Sequence, residues 1–508
     1  MKILLISFQP GLETIGLRHL HYFLLKNGHD SAILYLSMFK GNNFRESESL
    51  RRFVQEMNPG LVGISLMSTE YHAARDVTML LKDRLGSVPV IWGGIHPTLS
   101  PNECLAYADY VCMGEGEKTL LDIANALDRG LDLKDICNLC YLDKTTMIKN
   151  SLYPYIKNLD DLPLCDCIPV NSFIFTGTRI EKLGRKNFSR FARYSGRVYS
   201  IMKSRGCPFS CRYCCNNALR RIYTDNPIRM RSAENVIKEI EHVLRDCPKI
   251  EYINFQDDCF LASPENELRE FCDLYKQRVK KPFVIRAIPT FVTKDKVKML
   301  QGAGLSWMMV GLQSGSDRVC KEVYKRHISR SDFFETVTIL NDCNLPATYD
   351  VITDNPFETE RDKLETVETL MKLPKPFYLQ CLSLVLYPGT ELFEEAQSAF
   401  PQYCEQYYTK DYQITCRDRV NDLIRIAAFV DEAWMNRILY FYRKNKNGAR
   451  FKIFLFLTNL VTIFVLQPIV YFKMLKLSQG QSYTKALRLI SIYIKEWLER
   501  YLNQLKNA

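Results

Sequence analysis

Over residues 1–130 the sequence switches hydrophobic period repeatedly. KILLIS is followed by LRHLHYFLLKNG, SAILYL by a helical pattern ending near Met57, LVGISLM by one running through Leu85, and VPVIWGG and YADYVCMG by EKTLLDIANAL. Short β-branched runs alternating with runs of helical period predict a parallel sheet covered by helices on both faces, a severe restriction on what this chain can fold into. Such sheets bind ligands beyond the carboxyl ends of their strands, so the turns after KILLIS, GISLM and VIWGG matter most.

This N-terminal pattern is that of a Rossmann-like or flavodoxin-like domain, and 508 residues leave room for about two more domains. Residues 131–195 lose the rhythm and contain the turn-rich NLDDLPLCDCIP, which reads as a linker and interdomain segment. Alternation resumes over residues 196–400, with strand candidates VYSIMKS, IEYINF, PFVIRAI, SWMMVGL, ATYDVIT and FYLQCLSLVLY. Helices start near Ala233, Pro264, Lys294, Ser329 and Glu360. Six such repeats predict three quarters of a (β/α)8 barrel, that is, a partial (β/α)6 barrel with its chemistry at the C-terminal mouth of the strands. Residues 401–508 are helical by periodicity.

The formal charge of +11 sits in that tail: from Arg437 onward thirteen Lys and Arg face only Glu496 and Glu499. A near-neutral remainder argues against a nucleic-acid binder, whose basic residues would spread over its main domain, and for an anionic membrane surface as the partner of the tail. Residues 453–472 form a run of twenty without a charge, bounded by Lys452 and Lys473. That length matches a hydrocarbon core of about 30 Å, but Thr458, Asn459, Thr462, Gln467 and Pro468 weaken it. A helix lying on or re-entering a membrane, a spanning helix and a helix docked on the protein or a second copy all remain open. The N-terminal MKILLISFQPG is too short an apolar run for a signal peptide. The eighteen cysteines are therefore expected as thiols in a reducing cytoplasm, with the tail at the cytoplasmic face of a membrane.

Three of these thiols stand in RGCPFSCRYCCNN, residues 205–217, where Cys207, Cys211 and Cys214 have the spacing C-x3-C-x2-C directly after the first barrel strand. Structural zinc takes four protein ligands, usually as two separated pairs, and no second pair lies at a suitable distance. Three thiolates on a [4Fe–4S] cluster leave one iron open to a further ligand. With Tyr213 before the third Cys, this motif resembles the signature of the radical S-adenosylmethionine (SAM) superfamily. The resemblance implies that the open iron chelates SAM, that SAM is cleaved reductively to a 5′-deoxyadenosyl radical, and that a flavodoxin- or ferredoxin-like protein donates the electron. Cys215, an immediate neighbour, is expected to point away.

Later landmarks carry the resemblance through residues 196–396. FQDDCF, with Asp257 and Asp258, stands where family members contact the SAM amino group, although an Asp pair also suits a helix cap. GLQSGSDRV resembles the family's G-[IL]-E-S-G-S element and assigns Gln313 and Ser314 to SAM, with Gln313 replacing the usual Glu. Arg286 and Arg326 are placed to pair with carboxylates. DNPFET and YPGTELFEEA resemble P-G-E-T and P-G-T-x-L, with Phe357 replacing the Gly of the former.

A barrel of this kind behind a Rossmann-like domain resembles the cobalamin-binding subclass. IWGGIHPTLSP matches its G-G-x-H-P-T turn, in which Gly93 and Gly94 admit close approach of the backbone to a corrin or its nucleotide tail. GISLMS, with Ser65, resembles the S-x-L element, and MGEGEKTL, with Gly114 and Glu115, the G-E-G-E element. The D-x-H-x-x-G sequence that supplies an axial imidazole in many cobalamin proteins is missing, and SFQPGLETIG occupies its place. His96 is expected to be a turn residue rather than a cobalt ligand, and the pairs Cys137/Cys140 and Cys165/Cys167, whose spacing would also suit a redox or metal pair, to be buried or incidental thiols.

Together these resemblances imply a cobalamin-dependent radical SAM enzyme that methylates an unactivated carbon of a small-molecule or lipid-like substrate. Cyclisation or rearrangement on the same cofactors is the alternative. A tRNA methylthiotransferase fits less well, lacking three further N-terminal cysteines and a small β-barrel after residue 400. An interfacial tail helix is expected to bring the barrel mouth near the bilayer.

Overall fold

The structure, a computed structural model, describes residues 1–477 apart from 42, 226, 417, 446 and 447. The end of the expected helical tail, residues 478–508, lies outside the described residues. The chain divides into two units: Met1–Phe209 with Tyr213–Ile250 and Leu386–Lys410, and Ser210–Arg212 with Glu251–Val385 and Asp411–Ala508.

The first unit is built on strands β1 (Lys2–Ser7), β2 (Asp30–Tyr35), β3 (Leu61–Ser65), β4 (Val90–Gly93) and β5 (Tyr110–Cys112), parallel in the spatial order β5-β4-β3-β1-β2. Alternate residues of β1 enter different cores. Leu4 and Ile6 pack with Val62, Ile64 and Trp92 on one face, and Ile3 and Leu5 with Leu61 and Ile91 on the other. Each such buried side chain contributes roughly 1.5–3 kcal/mol, which is why these strands read as continuous apolar runs.

The stretch that reads as a linker supplies four more strands. β6 (Leu139–Asp143) and β7 (Thr146–Lys149) extend the sheet antiparallel beyond β5, whereas β8 (Ser172–Phe175) and β9 (Ile180–Lys182) extend it beyond β2. The unit also holds β10 (Val198–Ile201), the first of the barrel strands, and the antiparallel pair β11 (Ser204–Arg205) and β12 (Arg229–Met230).

In the second unit β13 (Tyr252–Phe255), β14 (Phe283–Ala287), β15 (Leu305–Gln313), β16 (Ala347–Thr353) and β17 (Tyr378–Ser383) pair in parallel in chain order. All six barrel strands expected from the sequence are present, β10 and β13–β17, giving the (β/α)6 pattern. Capping boxes at Ser329/Asp332 and Thr359/Asp362 fix the starts of the helices Arg330–Asp342 and Glu360–Met371.

The apolar tail segment is broken into a helix Ala449–Val461, a wide π-turn Thr462–Leu466 and a helix Gln467–Leu477. Pro468 offers no N–H to the carbonyl four residues before it, which accounts for the wide turn there. Among the described residues no helix is long and apolar enough to cross a membrane. Tyr471 packs against Trp307 and Tyr378, near the starts of β15 and β17, at centroid distances of 5.8 and 5.9 Å. The tail helix thus lies at the N-terminal ends of these strands. This corrects the expectation that it brings the barrel mouth to a bilayer.

Candidate functional site

The cysteine loop is framed by two short elements. Cys207 follows β11 after one residue, and Cys214 is the N-cap of the helix Cys215–Tyr223, so that Cys215 opens the helix. Cys207 and Cys211 are buried, Cys214 and Tyr213 are half-buried, and all eighteen cysteines are thiols. At an N-cap the helix dipole favours thiolate over thiol. Asn216 Nδ2 adds a donor 3.9 Å from Cys214 Sγ. Arg220 ties the loop down by donating to the Cys207 carbonyl at 2.9 Å. Three thiols with these surroundings suit the soft, electron-rich ligation of an iron–sulfur cluster.

At the strand ends of the second unit, Arg286 donates to the Gln256 side-chain oxygen. Asp350, two strands further on β16, faces the guanidinium groups of Arg286 and Arg326; burial outweighs them and pushes its carboxyl up to about 7. Asp257 is fully buried and Asp258 exposed. Neither caps the next helical elements, whose N-cap positions are Cys259 and Pro264. Gln313 ends β15 in the left-handed region at φ 68°, and its amide lies over Gly311, where an added Cβ would stand 2.4 Å from Nε2. Ser314 Oγ donates to Glu358 at 3.0 Å, and burial raises the Glu358 carboxyl to about 7. Gly315 N–H donates to Thr366 Oγ1 at 2.8 Å, and Ser316 Oγ to Asp362 at 2.7 Å. The QSGS turn is therefore seated on the helix Glu360–Met371.

The first unit contains a cavity of about 290 Å3 where β1, β3, β4 and β5 run out. Ser65, Gly93, Gly94, Gly114 and Glu115 all line it, so the structure brings these sequence-derived candidates together. Six glycines in the wall leave flat backbone against which a ring can lie. The remaining wall is mostly apolar, and the volume suits a heteroaromatic base with its sugar rather than a whole corrin ring. A nucleotide tail of cobalamin fits this lining.

Several candidates also have structural duties. Gly94, at φ 97°, would place a Cβ 2.8 Å from the Leu66 carbonyl, and Gly114 one 1.7 Å from Tyr223 Oη. Glu115 accepts from Arg205 at 3.0 Å, from Arg229 at 2.9 Å and from the Ile156 N–H at 3.0 Å, while Arg205 also holds Glu117 at 2.7 Å. Its carboxylate is thus the centre of an ion-pair cluster at the cavity edge. His96, expected as a turn residue, lies in the short helix Ile95–Leu99 just after the glycines: it is buried, 3.0 Å from Ser68 Oγ, with burial lowering its imidazole to about 4.

Sequence reasoning missed His19, Gln256, Asp350 and Glu358. His19 lines the cavity with Nδ1 3.6 Å from Cys165 Sγ, and burial together with Arg205, Arg231 and Arg18 holds it neutral, well below the usual imidazole range. Asp350 carried a signal, being the one charged residue of ATYDVIT. Cys137 and Cys140 go separate ways, to Ser151 Oγ at 3.4 Å and Met113 Sδ at 3.1 Å. The chain also returns to the first domain late: Gly389 of the PGT turn packs on Leu99 of the IHPTL helix, where an added Cβ would meet Leu99 Cβ at 2.9 Å.

Residues 1–124 match the B12 binding domain model and residues 201–370 the radical SAM superfamily model. An uncharacterized methyltransferase of Pyrococcus horikoshii is 25% identical over 68% of this chain and 71% of its own length. The anaerobic magnesium-protoporphyrin IX monomethyl ester cyclase of Cereibacter sphaeroides is 23% identical over 68% of this chain, which spans 55% of that relative. Among solved structures, the radical SAM methyltransferase TsrM of Kitasatospora setae, with cobalamin and a [4Fe–4S] cluster bound, aligns over 78% of this chain and 75% of its own. The TM-score is 0.62 at 18% identity, a likeness of fold. With a B12-binding model over its first domain and a radical SAM model over its barrel, the chain belongs to the radical SAM enzymes that carry an N-terminal B12-binding domain.

Proposed function

We propose that this protein is a cobalamin-dependent radical SAM methyltransferase acting on an unactivated carbon of a small-molecule or lipid-like substrate. The observation that carries the reading is the coexistence of a C-x3-C-x2-C thiol loop at a helix N-terminus with a glycine-walled cavity at the strand ends of a B12-binding domain. Bound together, cluster, SAM and cobalamin supply hydrogen abstraction from such a carbon and methyl donation to it.

In this reading Cys207, Cys211 and Cys214 hold the cluster, and Tyr213, Asp257, Asp258, Arg286 and Gln313 bind and orient SAM. Ser314 positions the turn beside it through Glu358. Ser65, Gly93, Gly94 and Gly114 form the cobalamin wall, and Glu115 sets that wall's edge by holding Arg205 and Arg229. His19 presents a neutral imidazole to the cavity and so binds without a charge to neutralise. A flavodoxin- or ferredoxin-like electron donor and contact of the C-terminal region with the cytoplasmic face of a membrane complete the proposal.

Anaerobic reconstitution with iron, sulfide and cobalamin tests it. The expected protein shows both cluster and corrin absorbance and, with reductant, converts SAM to 5′-deoxyadenosine and S-adenosylhomocysteine. Cys211→Ala is expected to abolish deoxyadenosine formation, and an unchanged rate would refute the assignment. The cyclase relative motivates one second reading, ring closure on the same cofactors, which yields deoxyadenosine without S-adenosylhomocysteine.

A further inference from the structure

We propose that the C-terminal helical segment docks this protein in the plane of an anionic lipid bilayer. Ile453, Leu457, Val461, Val465 and Ile469 recur every fourth residue through the helix, the π-turn and the next helix, and are 59, 55, 50, 48 and 47% exposed. The opposite side of the segment is buried at Leu455, Thr462 and Met474. A soluble surface seldom leaves so long an apolar stripe to water.

The neighbouring helix Glu432–Asn445 supplies what a headgroup region recognises. Trp434 and Tyr440 are exposed, with the Arg437 guanidinium 5.0 Å above the first ring and the Lys444 ammonium 4.6 Å above the second. Amphipathic rings beside cations suit the boundary between acyl chains and anionic headgroups. Charge selects the occupant: thirteen Lys and Arg against two Glu from Arg437 onward favour an anionic bilayer over a protein surface, since protein interfaces are depleted in Lys at their cores. In-plane docking follows because no described helix is long and apolar enough to cross. Because Tyr471 rests near the strand starts of the barrel, the surface anchors the enzyme and leaves the strand ends that carry Gln256, Gln313 and Asp350 away from this contact. The inference rests on and specifies the membrane contact of the proposed function, and its test measures no turnover, so its failure leaves the catalytic reading standing and is distinguishable from failure of that reading.

Full-length reconstituted protein is sedimented with vesicles of phosphatidylcholine and of phosphatidylcholine mixed with phosphatidylglycerol. Partitioning onto the mixed vesicles is expected to be about tenfold stronger and to fall with added salt. Leu457→Glu/Val465→Glu, at half-exposed sites that keep the fold, is expected to lower it about tenfold with an unchanged melting midpoint and cluster spectrum. Trp434 fluorescence gives a second readout: a blue shift on mixed vesicles that Trp434→Phe removes. The proposal is overturned if wild type stays in the supernatant, if the double variant pellets like wild type, or if wild type is a dimer that the variant splits and vesicles do not bind. It is also overturned if removing residues 478–508 abolishes pelleting while the stripe variant does not.

Discussion

A single carboxyl in the second unit makes a pH-dependent statement. Asp350 has its Oδ1 buried without a hydrogen-bond partner among the described residues, and desolvation lifts its pKa to about 7 despite Arg286 and Arg326. An acid raised in the folded chain keeps its proton there while the unfolded chain has already released it. Its contribution to stability is therefore flat below about pH 4, declines between about 4 and 7, and is flat again above. Asp350→Asn keeps the shape and removes the titration. The melting midpoint of the variant minus that of wild type is expected to grow from near zero at pH 4 to a plateau above pH 7 worth about 4 kcal/mol. A gap independent of pH would show that Asp350 is ionised throughout.

At the scale of elements, the turn after β5 must admit a ring from the helix Cys215–Tyr223. Because an added Cβ on Gly114 would stand 1.7 Å from Tyr223 Oη and 2.7 Å from Cζ, Gly114→Ala is expected to cost about 2–4 kcal/mol. Removing the hydroxyl relieves the closest clash. Gly114→Ala/Tyr223→Phe should therefore be destabilised less than the two single changes together, by about 1 kcal/mol or more in a denaturation cycle. What the sequence discloses at this scale follows burial. β1 to β5 and the barrel strands show as continuous apolar runs, whereas β7 and β9, with patterns exposed–half–half–exposed and half–half–exposed, lack any run to find. The cysteine loop and the glycine turns are legible because their chemistry is local. The Glu115 cluster is not, since Arg205 and Arg229 lie 90 and 114 residues away and no local pattern marks them.

At the scale of the whole molecule, the chain order of the units differs from their spatial make-up: Leu386–Lys410 belongs with the first unit although the strands of the second precede it. The attachment is specific. Tyr407 Oη donates to Glu103 at 3.0 Å, and Tyr408 Oη donates to the other oxygen of the same carboxylate. The Tyr408 ring stacks on Tyr71 at 4.6 Å and 28°. Tyr71 in turn meets His96 of the glycine turn edge-on at 5.4 Å, so this late segment braces the wall of the proposed cobalamin cavity from behind. Tyr408→Ala deletes ring and hydroxyl together and is expected to cost the first unit about 2–3 kcal/mol. Hydrogen exchange then rises about tenfold or more in peptides covering residues 68–75 and 93–104, the elements Tyr408 touches, while peptides from β14 to β16 keep their protection. Tyr408→Phe keeps the stacked ring and loses only the bond to Glu103, so its exchange falls between the two. Equal acceleration in β14 to β16 would mean that the segment supports the chain globally, and no acceleration near residue 96 would remove its bracing role.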